Sequence, residues 1–188
     1  GIGSGLAVKS ILDVGANVEQ LRLRFAFLFK GVQEGDKAFK GLIDFASRVP
    51  FTLEEIQAGA GNLAVVTKNA EELNEILKIT GNVASVTGLD FRTTAEQIQR
   101  SFSSGIGSAD LFRERGVRAL LGFKAGAEVT IEDTKKRFRE LFGPGGEFEK
   151  ATEVLSTTFT GTLSMLSDKL FKFRLETGQA GFFDFIKQ

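Results

Sequence analysis

Several residue types with distinctive chemistry are missing from this 188-residue sequence. It contains no His, Cys, Trp or Tyr. The commonest general base, the nitrogen and sulfur metal ligands and the thiol nucleophile are therefore missing. Without cysteine, a disulfide framework is excluded as well. Catalysis would have to depend on carboxylates, Lys, Ser or Thr alone, so we expect no enzyme activity, no catalytic residues, no cofactor and no bound metal.

An excess of charge of one sign is also missing. Lys plus Arg and Asp plus Glu both number 24, so no single-sign field would hold nucleic acid or an anionic membrane. No apolar run approaches the roughly 18 residues of a spanning helix. The segment 1–15 resembles a small amphipathic peptide, with Ile2, Leu6, Ile11 and Leu12 apolar, but it lacks the basic face of a membrane-surface helix. Membrane contact is therefore not indicated, although a membrane-active module stays an alternative.

The apolar fraction of 42% is enough to build a core, and all 19 aromatic residues are Phe. Phenylalanine adds bulk without a hydroxyl or indole group that needs a buried partner. The clearest break in the chain is Gly143-Pro144-Gly145-Gly146. We therefore expect a helical domain over 1–142 and a C-terminal helical module over 147–188, unless the two form one continuous domain. Because no initiating Met is present, an excerpt of a longer protein is expected.

Helical spacing is the main pattern, and it predicts an all-α fold of short helices interrupted by glycine. Apolar residues recur every three or four positions over 36–49, where Asp36 is the expected N-cap and Pro50 ends the helix. The strongest signal follows, because Thr52 and Glu55 have the spacing of a capping box, while Phe51 and Ile56 occupy the hydrophobic-staple positions. Similar helix starts are predicted at Asn69 with Glu72, Thr93 with Glu96, and Thr130 with Asp133.

One segment fits two secondary structures. Residues 21–29 partly alternate between apolar and polar, which is typical of a half-buried strand. A lone strand needs a partner, and no second alternating run is present. We therefore favour a helix here and keep a minor strand at 21–29 as the alternative.

The longest regular pattern lies at the C-terminal end. Leu155, Phe159, Leu163, Leu166, Leu170 and Phe173 follow spacings of three and four, which is typical of a narrow helix-packing seam. A dense apolar terminus follows it. Either this stripe is ordinary core, or it associates with another chain. As candidate partner-binding residues we take the following large apolar side chains: Leu163, Leu166, Leu170, Phe173, Phe182, Phe183, Phe185 and Ile186.

Motifs that suggest a ligand each have a simpler structural explanation. The Gly-rich stretches 101–107 and 122–126 lack the spacing of a phosphate-binding loop and are expected to be turns between short helices. The carboxylate pairs at 54–55, 71–72 and 132–133 each fall in the first turn of a predicted helix, where they offset the helix dipole. Arg113, Arg115 and Arg118 are expected to form intramolecular ion pairs with neighbours such as Asp110 and Glu114.

The order of several motifs resembles the conserved helical region of tail tape-measure proteins from long-tailed bacteriophages and prophages. The resemblance begins in the segment 15–22 and continues in Asp44-Phe45-Ala46 with Pro50-Phe51 opening the next helix. It includes the stretch 115–122, which contains Arg-Gly-Val, and ends in the segment 158–168 (TFTGTLSMLSD). These motifs span nearly the whole chain.

This resemblance implies a structural role in the virion. Tape-measure proteins are long and largely helical, lie in a few copies in the lumen of the tail tube, set the tail length and leave ahead of the DNA at infection. The implied partners are further copies of the chain and the tail tube, tail tip and tail assembly chaperone proteins. The implied location is the tail tube lumen or the tail tip, and the host cytoplasm during assembly. No catalytic residues belong to this region of the family. The alternative is a non-catalytic helical binding or assembly module unrelated to tails.

Overall fold

The structure, a computed structural model, describes residues 19–157. Within this range the chain forms helices joined by short loops. They are α1 (19–28), α2 (Val32–Ala46), α3 (Leu53–Ala64), α4 (Ala70–Thr87), α5 (Phe91–Ser104), a 3₁₀ turn (Ile106–Ser108), α6 (Asp110–Glu114), α7 (Val117–Leu120), α8 (Ile131–Phe142) and α9 (Ala151–Ser156). The predicted all-α fold with short helices is confirmed. The C-terminal module beyond residue 157 lies outside the described residues, and the division at 142–147 stays a prediction.

Residues 21–28 of this segment lie in α1 and Phe29 follows in a turn, so the favoured interpretation holds and the alternative of a minor strand is wrong. Phe25 and Phe29 are buried, and Leu21 packs against the core, whereas Leu23 and Phe27 between them are exposed. The buried side chains therefore recur every four residues, which is the period of one helix face. The exposed apolar residues placed between them produce the alternation that suggests a strand.

Three of the five predicted helix starts are confirmed. The Thr52 hydroxyl accepts a hydrogen bond from the Glu55 amide, and the Glu55 carboxylate accepts one from the Thr52 amide, which completes the capping box of α3. Asn69 caps α4 through the Glu72 amide at 2.8 Å, and Thr130 caps α8 through the Asp133 amide at 3.0 Å.

The other two starts are corrected by a few residues. Helix α2 begins at Val32, so Asp36 lies inside it, and its N-cap is Gly31, which has no side-chain cap. Helix α5 is capped by Asp90, whose carboxylate accepts from the Thr93 amide at 2.7 Å and from the Thr93 hydroxyl at 2.8 Å. Thr93 is thus the partner of the cap and not the cap itself. A carboxylate is also a strong N-cap, because it accepts from the free amides and carries charge opposite to the helix dipole.

Helix α4 is the centre of the bundle, since it contacts α2, α3, α5, α8 and α9. Around it the buried phenylalanines form two clusters. In the first, the Phe91 ring lies 5.8 Å from Phe45 and 5.3 Å from Phe51, between ring centroids. In the second, Phe138 lies 5.7 Å from Phe102 and 5.8 Å from Phe112. Tilted and edge-on rings at such distances add to the hydrophobic burial of each side chain.

Glycines set how closely some helices approach. A Cβ at Gly59 would lie 2.8 Å from the Phe91 ring, and a Cβ at Gly35 would lie 2.7 Å from the Ala26 backbone nitrogen. Both contacts are shorter than carbon packing allows, so α3 meets α5, and α1 meets α2, only where a side chain is absent. The predicted Gly-rich turn at 122–126 is present, with positive φ at Gly122 and Gly126, whereas in the stretch 101–107 residues 101–104 end α5 and the turn begins only at Gly105.

The capping box at the start of α3 gives a direct stability test. Thr52→Ala removes the acceptor for the Glu55 amide, so we expect the free energy of unfolding to fall by about 0.5 to 2 kcal/mol. Urea denaturation followed by far-UV circular dichroism measures this change. Ser104→Ala, at an exposed serine that is the last residue of α5 and does not cap a helix, is the control and should change stability by about 0.5 kcal/mol or less. Equal losses in the two variants would contradict the capping role of Thr52.

Candidate functional site

A groove of about 850 Å³ lies between α2, α4 and the segment 143–153. Its floor is apolar and consists of side chains that belong to the core. Phe45, Val49, Ile79 and Phe142 are all no more than 5% exposed. The charged and polar side chains on its walls are Lys37, Arg48, Glu71, Asn74, Glu75, Lys78, Asn82, Glu149, Thr152 and Glu153.

Several charged groups of the groove are paired with neighbours within the fold. Arg48 donates to the Asp44 carboxylate at 2.6 Å, one helical turn away. Glu75 accepts from Arg139 of α8, which also reaches Glu72 at 3.4 Å. These ion pairs are partly exposed, so each contributes little to stability by itself. The two ion pairs of Arg139 join α8 to α4 beside the groove.

Asn82 is the most fully bonded side chain in the groove, and it is only 5% exposed. Its amide nitrogen donates to the Phe142 and Glu149 carbonyls, both at 2.9 Å. Its amide oxygen accepts from the Thr152 backbone nitrogen at 3.0 Å and from the Thr152 hydroxyl at 2.9 Å. A carboxamide has two donor hydrogens and one acceptor oxygen with two lone pairs, so Asn82 uses its whole hydrogen-bonding capacity.

Those four hydrogen bonds fix the position of the segment that follows the Gly-Pro-Gly-Gly break. They connect the middle of α4 to the end of α8, to the turn at Glu149 and to the first turn of α9. A buried polar side chain whose hydrogen bonds are all made specifies one arrangement of the chain. If the segment after α8 were displaced, the donors and acceptors of Asn82 and of its partners would be left without hydrogen bonds. Asn82 therefore acts as a positioning residue, and the Thr152 hydroxyl is already engaged with it.

A second, shallower hollow of about 460 Å³ lies beside the loop 122–129. Two arginines hold that loop through its backbone carbonyls. Arg118 donates to the Lys124 and Ala127 carbonyls at 3.2 and 3.0 Å, and Arg137 donates to the Leu121 carbonyl at 2.8 Å. The predicted ion pairing of the Arg cluster is thus seen for Arg113 with Asp110, at 3.5 Å, whereas Arg118 braces a loop.

The carboxylate pairs noted in the sequence do not meet in one place. Glu54 with Glu55, Glu71 with Glu72, and Glu132 with Asp133 each lie in the first turn of their own helix. Glu55 and Glu72 accept hydrogen bonds from backbone amides at the helix starts. Their positions therefore have a complete structural explanation in capping and in the helix dipole.

The proposed partner-binding residues, Leu163, Leu166, Leu170, Phe173, Phe182, Phe183, Phe185 and Ile186, all lie outside the described residues. Only the start of the seam is described. Leu155 is half-buried and packs against the core.

Over 19–157, no group of three or more acidic side chains is arranged to hold a metal ion. In the same range, no helix has both the length and the apolar character that crossing a bilayer requires.

Comparison with known proteins identifies no relative. The chain matches no protein-family model, no curated protein and no solved structure. The tape-measure resemblance is therefore carried by the sequence motifs alone.

Asn82 provides the test of how the groove is built. Asn82→Leu keeps the number and branching of the side-chain heavy atoms but leaves the Phe142 carbonyl, the Glu149 carbonyl and the Thr152 amide without their partner. A buried group left unsatisfied costs about 1 to 3 kcal/mol, so we expect the free energy of unfolding to fall by at least about 2 kcal/mol. Urea denaturation measures the loss, and limited trypsin digestion should show faster cleavage after Lys150.

The matched control is Asn62→Leu on α3. Asn62 is half-buried and makes no side-chain hydrogen bond to the residues that the structure describes. This variant should change stability by about 0.5 kcal/mol or less and should leave the rate of cleavage at Lys150 unchanged. If Asn82→Leu behaves like the control, the positioning role of Asn82 is wrong.

Proposed function

We propose that this chain is a folded, non-catalytic segment of a phage tail tape-measure protein, which acts in tail assembly, tail-length determination and genome ejection. The observation that carries the proposal is the ordered set of motifs from the Asp-Phe-Ala…Pro-Phe corner to the Thr-Phe-Thr-Gly-Thr-Leu-Ser segment. Each motif is weak alone, and their order and spacing along one chain are what favour this family.

The described motifs occupy positions where helices meet. Phe45 and Phe51 both pack on Phe91 and thereby join the end of α2, the corner and the start of α5. Gly116 has a φ of +76° between α6 and α7, a conformation that favours glycine, and Val117 after it is fully buried. These motifs thus have architectural roles, which suits a protein whose work is assembly.

The charged side chains support the non-catalytic part of the proposal. The acidic pairs lie in the first turns of their helices, Arg139 ties α8 to α4, and Arg118 and Arg137 hold a loop. The hydroxyl nearest the groove, that of Thr152, is hydrogen-bonded to Asn82. A nucleophile would need a neighbouring base to activate it, and the hydrogen-bond partners of the Thr152 hydroxyl are the Asn82 amide and the Ser85 hydroxyl, neither of which is a base.

The same architecture argues against a ruler role for this particular region. The longest described helix, α4, has 18 residues, which corresponds to about 27 Å at a rise of 1.5 Å per residue. The helices fold onto each other around one core and do not follow one line. We therefore propose that this segment forms a compact folded region of a tape-measure protein. In this proposal, continuous helix elsewhere in the parent chain determines the tail length.

The parent gene allows the proposal to be tested in the virus. Antibody raised against residues 1–188 should label purified tails, and deletions in long helical parts of the parent chain should shorten tails by about 1.5 Å per residue removed. Electron microscopy of tails provides the lengths. The control is an equally long deletion in a gene for another tail protein. A chain that is absent from purified tails, or tails of unchanged length, would overturn the proposal.

The predicted C-terminal contact surface is tested separately by sedimentation. A partner surface at Phe182, Phe183 and Phe185 predicts that the isolated chain associates, because exposed apolar side chains gain roughly 1.5 to 3 kcal/mol each on burial. The Phe182→Ser, Phe183→Ser, Phe185→Ser variant should then be monomeric with unchanged stability. A wild-type monomer together with a destabilised variant would show that these residues belong to the core.

A further inference from the structure

The outer side of α1 carries a group of exposed apolar side chains. Phe27 is 80% exposed, Leu23 57% and Leu28 38%. Arg24 lies between them, and residues three or four apart on a helix are neighbours, so the four side chains form one continuous surface. Each of the other described helices has at most one large apolar side chain that is exposed, which is ordinary for a protein surface. We call Leu23, Arg24, Phe27 and Leu28 the α1 surface.

The core holds α1 in this orientation. Phe25, on the opposite side of the helix, is fully buried. A Cβ at Gly35 would lie 2.7 Å from the Ala26 nitrogen, and the Arg22 guanidinium lies 4.5 Å from the centre of the Phe39 ring. A rotation of α1 that buried the α1 surface would expose Phe25 and break these contacts. The α1 surface therefore faces outward in the folded bundle.

A positive charge lies within this apolar surface. The Arg24 guanidinium lies over Gly61 of α3, where a Cβ would be 2.9 Å from its Nη1 nitrogen. Among residues 19–157, Arg24 forms no ion pair, and neither does Lys30, which follows α1. Arginine and aromatic side chains are enriched in protein interfaces, and a guanidinium binds carboxylates strongly. The α1 surface therefore matches a partner that presents an apolar side chain beside carboxylates.

The outer side of α9 has these properties. Val154 is 66% exposed, and the same segment contains three exposed glutamates, Glu147, Glu149 and Glu153, with a single cation, Lys150. None of the three glutamates forms an ion pair within residues 19–157. No residue of α9 is buried, so this short helix has surface available for contact with another chain.

Two α1 surfaces suit each other less well. If two α1 helices pair antiparallel, with Leu23 of one on Phe27 of the other, the two Arg24 guanidiniums meet near the centre of the contact. Like charges that face each other oppose such pairing. Pairing the α1 surface with α9 places a cation against carboxylates instead. The charges thus favour a contact between different parts of two copies.

We propose that the α1 surface of one copy binds the outer side of α9 of a second copy. Phe27 then packs on Val154 of the partner subunit, and Arg24 lies close to Glu153 of the partner subunit. Because each copy has both parts, the contact leaves one of each unused at the ends, and further copies can add head to tail. A single contact of this small size is weak. This inference goes beyond the tape-measure proposal and holds or fails independently of it.

Because the chain has no cysteine, introduced thiols can trap this contact as a disulfide. A mixture of the full chain carrying Phe27→Cys with the full chain carrying Val154→Cys should form the mixed disulfide under mild oxidation. The yield should be at least several-fold above that of a mixture of Phe27→Cys with Leu120→Cys. Leu120 is the matched control because it is 41% exposed and lies between Arg118 and Lys124 in the sequence, not among carboxylates.

Charge reversal tests whether Arg24 meets Glu153 of the partner subunit. Arg24→Glu in the Phe27→Cys chain should lower the yield of mixed disulfide several-fold, and so should Glu153→Arg in the Val154→Cys chain. The two reversals together should restore the yield, which an unfolded variant could not do. Added salt should lower the yield of the original pair, because it screens exposed charges.

Several outcomes would show that the proposal is wrong. Equal yields with Val154→Cys and Leu120→Cys, or no recovery when both charges are reversed, would exclude α9 as the occupant. Phe27→Cys chains that cross-link mainly with each other would assign the α1 surface to a symmetric pair. Co-sedimentation of the wild-type chain with phosphatidylglycerol vesicles, lost in Phe27→Ser, would assign the α1 surface to a membrane.

Discussion

The N-terminal half of the bundle depends on one contact. Phe91 packs on α3 at Gly59, where the helix has no side chain. The ring lies where the end of α2, the Pro-Phe corner, α3 and α5 meet, and it is fully buried. Gly59 leaves the space, since a Cβ there would lie 2.8 Å from the ring. Interiors are packed too closely to absorb such an overlap without moving a helix. The extensive contact between α3 and α5 therefore follows from one large and one absent side chain.

The C-terminal half depends on a different kind of interaction. Phe102, Phe112, Phe138 and Phe142 form a continuous apolar cluster under α8, but apolar contact is not directional. What fixes the path of the chain after α8 is the set of hydrogen bonds from Asn82. The two halves of the bundle thus meet on α4. One face of this helix contributes apolar packing, and Asn82 fixes the path of the chain after α8. The groove is the space left beside this junction.

Much of this fold could be predicted from local sequence, because capping is local. Thr52, Asn69 and Thr130 bond to amides three residues away, so their patterns are visible in a short window. Gly31 has no side chain to signal a helix start, which explains the error at Asp36. The role of Asn82 could not be found this way, since its partners lie 60 to 70 residues further along the chain. A single asparagine inside an amphipathic helix carries no local signal of that kind.

The attachment of α9 to α4 also has a mechanical consequence. A pull on the chain beyond Thr157 reaches the bundle through the six residues of α9, whose anchor is the bonds between Thr152, Glu149 and Asn82. The hydrogen bonds of this small cluster bear the force together, and each breaks after a short extension. The phenylalanine cores bear the force only after these bonds have broken. Under tension from its C-terminal side, the segment 143–157 would therefore peel from α4 first, and the helices α1 to α5 would stay folded at forces that have already released it.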